Sequence, residues 1–134
     1  MKMKRKGFTL VEIMIVVGII ALLAAIAIPN LLRSRITSAE TNAQATLKTI
    51  ATAAESYASA NSGNYPEGIT NLTSANPPYL NANYADGTTR NGYQYNCTMN
   101  NTGYSCAANP QGAFDGKANG FNIDTGAVLN NTGL

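Results

Sequence analysis

From Phe8 to Ile28 the chain is an apolar run with one ionisable side chain, Glu12, and it then changes abruptly to an alternating pattern. Those 21 residues span about 31 Å as a helix at ~1.5 Å per residue, enough to cross a bilayer. Beyond Pro29, the residues Leu32, Ile36, Ala39, Ala43, Leu47, Ile50, Ala54 and Tyr57 recur at three- and four-residue steps. That period predicts an amphipathic helix over 30–60, its narrow apolar stripe rich in small side chains. The two parts read as nearly one helix, about 80 Å long. It stops at Asn61-Ser62-Gly63-Asn64, with Gly63 as a left-handed cap and Pro66 just beyond. Gly18 and Pro29 are its weak points. Proline removes a backbone donor and crowds the preceding turn, so a kink or local break is expected near Ala25 to Pro29.

Residues 61–134 change character, becoming rich in Asn, Gly, Thr and Tyr. Residues 65–90, with Tyr65-Pro66, Asn76-Pro77-Pro78 and Asp86-Gly87, read as a loop rather than regular structure. Two hairpins follow. Tyr93, Tyr95, Cys97 and Met99 alternate with polar residues before a turn at 100–103 and a return over 104–108. The second runs over 120–124, turns at Thr125-Gly126, and returns over 127–129. The fold class is therefore α+β: a long N-terminal helix packed on a small antiparallel sheet of three or four strands. A two-residue turn at Asn101-Thr102 sets Cys97 directly opposite Cys106, the spacing a disulfide needs. Closing that short loop should contribute on the order of 2–3 kcal/mol.

Charge refines the picture. Four of the nine basic side chains (Lys2, Lys4, Arg5, Lys6) precede the apolar run. Short positive flanks stay cytoplasmic, so the part after Pro29 is directed outward. Without the first seven residues, five basic side chains face seven acidic ones, a balance of −2. No basic field for nucleic acid remains. The chain has no histidine, which excludes histidine triads and the usual zinc sites. No catalytic constellation, phosphate loop or cofactor motif is present. Asp115 and Asp124 lie near other oxygen ligands but outside any regular calcium-loop spacing, and solvated turn acids explain them better.

Glu12 is the residue that demands a function. A carboxylate in an apolar span costs roughly 2.5–3.5 kcal/mol on insertion scales and needs a partner. Cutting the bond before Phe8 would create one, an α-amino group four residues away. The ordered set of a short basic leader, Gly7, Phe8, Glu12 and Pro29 closing the apolar segment resembles the class III signal of type IV pilins and type II secretion pseudopilins. An ordinary secretory signal, with Ala25-Ile26-Ala27 as its cut, would have a shorter apolar core and no acid.

The resemblance covers residues 2 to about 32. It implies a cleaved leader (1–7), a transmembrane and assembly helix (8–29), the amphipathic continuation (30–60) and an external lobe (61–134). It further implies cutting at Gly7–Phe8 by a prepilin peptidase, N-methylation of Phe8, and storage in the inner membrane. An inner-membrane assembly platform would then build a homo-oligomeric filament, extracellular or periplasmic, with Glu12 as the registration device. The segment before Pro29 would either melt during assembly, as in the pilins it resembles, or hold a static kink at the membrane exit. A pseudopilin is the near alternative. A membrane-anchored module gripping a ligand through Tyr79, Tyr84, Tyr93, Tyr95 and Tyr104 is the alternative from another class.

Overall fold

The computed structural model describes residues 1–133. They divide into two compact units, residues 1–35 and residues from Ile36 onward. In chain order the elements are α1 (Leu10–Ala60), α2 (Ile69–Thr73), β1 (Thr89–Arg90), β2 (Tyr93–Asn100), β3 (Gly103–Pro110), a 3-10 turn (Gly112–Phe114), β4 (Gly120–Asp124) and β5 (Val128–Gly133). The α+β class is as the hydrophobic pattern predicts.

In the first unit, α1 runs unbroken through Gly18 and Pro29. Helical hydrogen bonding continues across Ala25–Pro29, so of the expected kink or local break the break is absent. A proline φ of about −65° fits a helix, so the ring removes one donor without forcing the chain out of register. One turn back, Asn30 Nδ2 donates to the Ile26 carbonyl at 3.2 Å, adding a local bond beside the lost one.

In the second unit, α1 buries Ala39, Ala43, Leu47, Ile50 and Ala54, the predicted stripe, and Ala51, Ala53 and Ala58 widen it. Leu32, at the head of the stripe, is exposed and belongs to the first unit. The alanines leave room for large side chains from the sheet: Tyr93, Tyr95, Met99, Tyr104, Phe121 and Ile123 complete the core. The helix ends as a hydrogen-bonded cap. Ser62 and Gly63 both take positive φ, 58° and 86°, and Gly63 N–H donates to the Ala58 carbonyl at 2.8 Å.

The sheet is an antiparallel meander in the order β1-β2-β3-β4-β5, five strands rather than three or four. The added strand is β1, a two-residue edge pairing with β2. The predicted loop over 65–90 also contains the five-residue α2, which buries Leu72. Turn-rich composition hid α2, behind which the Leu72 carbonyl accepts from Tyr79 and Leu80 N–H at 2.9 and 3.1 Å; β1 is set locally, by the two-residue Asn91-Gly92 turn into β2. Between β2 and β3 the register is as expected, Cys97 opposite Cys106 and Asn100 opposite Gly103. The two sulfurs are bonded, with Cα atoms 4.1 Å apart. The second hairpin differs by one residue. Asp124 pairs with Val128, so its loop is Thr125-Gly126-Ala127, and Ala127 sits in the left-handed region at φ 59°.

Candidate functional site

The sequence places its candidate chemistry around Gly7, Phe8 and Glu12, and the structure shows why the chain is helical on one side of that point and not on the other. Residues 1–9 lie outside any helix or strand and are exposed, and α1 begins at Leu10. Thr9 caps it. Its hydroxyl oxygen accepts the Glu12 N–H at 3.2 Å, while the Glu12 carboxylate accepts the Thr9 N–H at 2.8 Å and the Thr9 hydroxyl at 2.9 Å. This is a reciprocal capping box, satisfying donors that a helix N-terminus otherwise leaves orphaned. Glu12 also lies in the first turn, where the helix dipole favours a negative charge.

The role of Thr9 escaped the sequence reading, which treated Glu12 as lacking any internal partner. The signal was present: Thr9-Leu10-Val11-Glu12 has the S/T-x-x-E spacing of a capping box. The Gly7–Phe8 bond therefore lies just ahead of the cap, in exposed chain outside any helix or strand.

Past the cap, the large apolar side chains of α1 as far as Ile28 are exposed. Phe8 is 86% exposed, and Val11, Met14, Val17, Leu22 and Ile26 are all largely exposed. The helix is long and apolar enough to cross a membrane. Gly18 has no atom within 4 Å of where a Cβ would sit, leaving an open notch beside Ile13, Met14 and Val17.

In the second unit, two carboxylates fasten the helix to the sheet. Glu40 Oε1 accepts from Asn119 N–H and Nδ2 at 2.8 and 3.0 Å. Glu55 accepts from the Tyr65 and Tyr104 hydroxyls at 2.9 and 3.0 Å, and from Gly126 N–H at 2.8 Å. Burial pushes the Tyr93 phenol up to about 12. Tyr104 is raised too, first by burial and then by Glu55, and Tyr65 is raised first by its hydrogen bond to Glu55. At the exposed edge, the Thr88 hydroxyl and N–H, with Arg90, hold the Asp86 carboxyl down at about 2.

Other candidates fare differently. Asp124 accepts from the Asn122 amide, while Asp115 is exposed. Among the described residues no group of three His, Cys, Asp or Glu side chains is arranged to hold a metal ion. The tyrosine-gripping alternative meets a direct obstacle: Tyr93, Tyr95 and Tyr104 are core residues, not surface. Cys97 and Cys106 serve each other within the hairpin.

Comparison with known proteins places the signal in a family. Residues 2–28 match the profile described as the prokaryotic N-terminal methylation motif. The type IV major pilin protein PilA of Myxococcus xanthus is 48% identical over 54 residues, 40% of this chain and 24% of that protein. The type IV wide pilus major component PilA4 of Thermus thermophilus is 67% identical over 30 residues, 22% of this chain and 23% of that protein. The chain thus matches under a quarter of the length of each of these curated relatives. Both are named for pilus structure, not for an enzymatic activity. No solved structure matches.

Proposed function

We propose, from the match of residues 2–28 to the prokaryotic N-terminal methylation motif and the likeness to two type IV major pilins, that the chain is a type IV pilin and the structural subunit of a type IV pilus-like filament. The observation that carries this reading is the uncovered apolar half of α1 with one carboxylate in its first turn. Such a surface needs lipid first and like surfaces afterwards. A prepilin peptidase cuts Gly7–Phe8 on the cytoplasmic side and methylates the Phe8 amine. Phe8 to Ile28 then hold the subunit in the inner membrane with the lobe outside, until the assembly platform adds it to a filament of identical or related pilins.

Glu12 registers each addition by meeting the Phe8 ammonium of a neighbour. The capping box does not compete with this role. A carboxylate has about four lone-pair sites, and Thr9 uses two of them. In a monomer the acid is a cost that Thr9 only softens; in a bundle of apolar helices the ion pair satisfies two charges at once.

The test replaces Glu12 and counts filaments against membrane-bound subunit. Glu12→Leu should insert and be processed normally, yet leave each neighbouring ammonium unpaired, a loss of order 3–5 kcal/mol per buried pair. Filaments should vanish or become rare, with Glu12→Gln intermediate. Wild-type filament numbers from Glu12→Leu would remove the registration mechanism.

A further inference from the structure

Four Asx–Gly bonds occur in the second unit: Asp86-Gly87, Asn91-Gly92, Asp115-Gly116 and Asn119-Gly120. In such a pair the glycine nitrogen, unhindered by a side chain, can attack Cγ of the preceding residue. From asparagine the attack forms a C–N bond, expels ammonia and leaves a five-membered succinimide. Water then opens the ring at either carbonyl, giving aspartate or isoaspartate. The reaction consumes one water, releases one ammonia and needs no enzyme or oxidant. We propose that Asn91 is a site of spontaneous deamidation on the mature lobe, and that the other three pairs are protected by chemistry or structure.

Asn91 and Gly92 are the two central residues of the β1–β2 turn, at φ 51° and 81°, outside the strand ladder. Asn91 is exposed, and its side chain has no hydrogen-bond partner among the described residues. Gly92 N–H makes no backbone hydrogen bond there, although the Gly92 carbonyl accepts from Gln111 N–H at 2.8 Å. Neither the Asn91 side chain nor the Gly92 nitrogen is therefore held by a hydrogen bond.

Asn119 is the opposite case. Glu40 holds both its N–H and its amide nitrogen, and its carbonyl accepts the Tyr93 hydroxyl at 2.7 Å. Gly120 is buried in β4, paired with Gly133 of β5. The two aspartates carry carboxylates, whose oxygen is a far worse leaving group than ammonia. Asp86 is also pinned by Thr88 and Arg90.

Conversion would not be silent. Isoaspartate lengthens the main chain of a two-residue turn by one methylene, and either product adds a negative charge next to Arg90. The turn has no slack for this, since the Phe114 ring lies where a Cβ of Gly92 would be. An exported subunit would carry the product for its lifetime, so the converted fraction would record its age.

Full-length mature protein in detergent micelles is held in mildly alkaline buffer, sampled over time, and mapped by peptide mass spectrometry with isoaspartyl methyltransferase labelling. Asn91 should convert at least about tenfold faster than Asn119, the factor set by breaking one hydrogen bond to a charged group. In urea the two should convert at similar rates. Asn91→Gly, which keeps a turn compatible with positive φ, should abolish the label. Conversion of native Asn119 as fast as Asn91 would overturn the proposal. So would a native Asn91 that stays intact while the urea-unfolded one converts.

Discussion

Glu55 accepts three hydrogen bonds from three separate stretches of chain: the residues after α1, strand β3 and the β4–β5 loop. Replacing it by leucine would strand the Tyr65 and Tyr104 hydroxyls and Gly126 N–H. The expected loss is about 3 kcal/mol, the cost of leaving partly buried donors unsatisfied. Glu55→Gln keeps one acceptor oxygen and should lose less. Thermal melts of the full chain in detergent check this; an unchanged melting point for Glu55→Leu would show the bonds to be incidental. Residues of this kind are where a sequence is least legible. Glu12 stands out because it is a lone charge in an apolar run, whereas Glu55 looks like any polar residue on a solvated helix face. Its partners lie 10, 49 and 71 positions away, beyond the reach of any local pattern.

Among the elements, legibility follows how local the determining contacts are. The β2–β3 hairpin could be placed to the residue because alternation and a two-residue turn together fix register. The β4–β5 loop was one residue longer than its composition suggested. There Thr125 Oγ1 accepts Tyr104 N–H at 2.8 Å, and Gly126 is held by Glu55, so tertiary contacts shape the turn. α2 was hidden by its turn-rich composition, whereas β1 was within reach of a local pattern, the Asn91-Gly92 turn that leads into β2.

The sheet's buried tyrosines also carry a pH consequence. Their folded pKa values lie above the ordinary tyrosine value of about 10, so the folded state binds more protons than the unfolded chain above that pH. The stability they contribute is fully present below pH ~10 and is lost as pH rises through the folded values. Melting of the strands, followed by the infrared amide band, should hold steady to about pH 10 and decline toward 12. Tyr93→Phe should flatten part of that decline; a flat profile in the wild type would contradict the assigned burial effect.

At the scale of the whole molecule, the leader is the part whose removal changes most. Its four cations account for the chain's formal +2, and cutting it leaves the side chains at −2. Intact-mass measurement on protein from its native cells should find a chain beginning at Phe8 with one added methyl group. A chain beginning at Ile28 would identify an ordinary signal peptide and remove the filament reading altogether.

The strand order has its own consequence for a chain threaded outward from its N-terminal end. Each strand of the sheet pairs with the strand before it and the one after it in sequence, so none must wait for a distant partner. The helix that backs the sheet emerges before any strand. On the proposed route across the membrane, folding would keep pace with translocation, each hairpin closing as its second arm appears. Short sequence separation between partners is also what makes such closure fast. The growing edge moves on with each new strand, while the opposite edge, where β1 covers only Tyr93 and Gln94 of β2, stays open throughout.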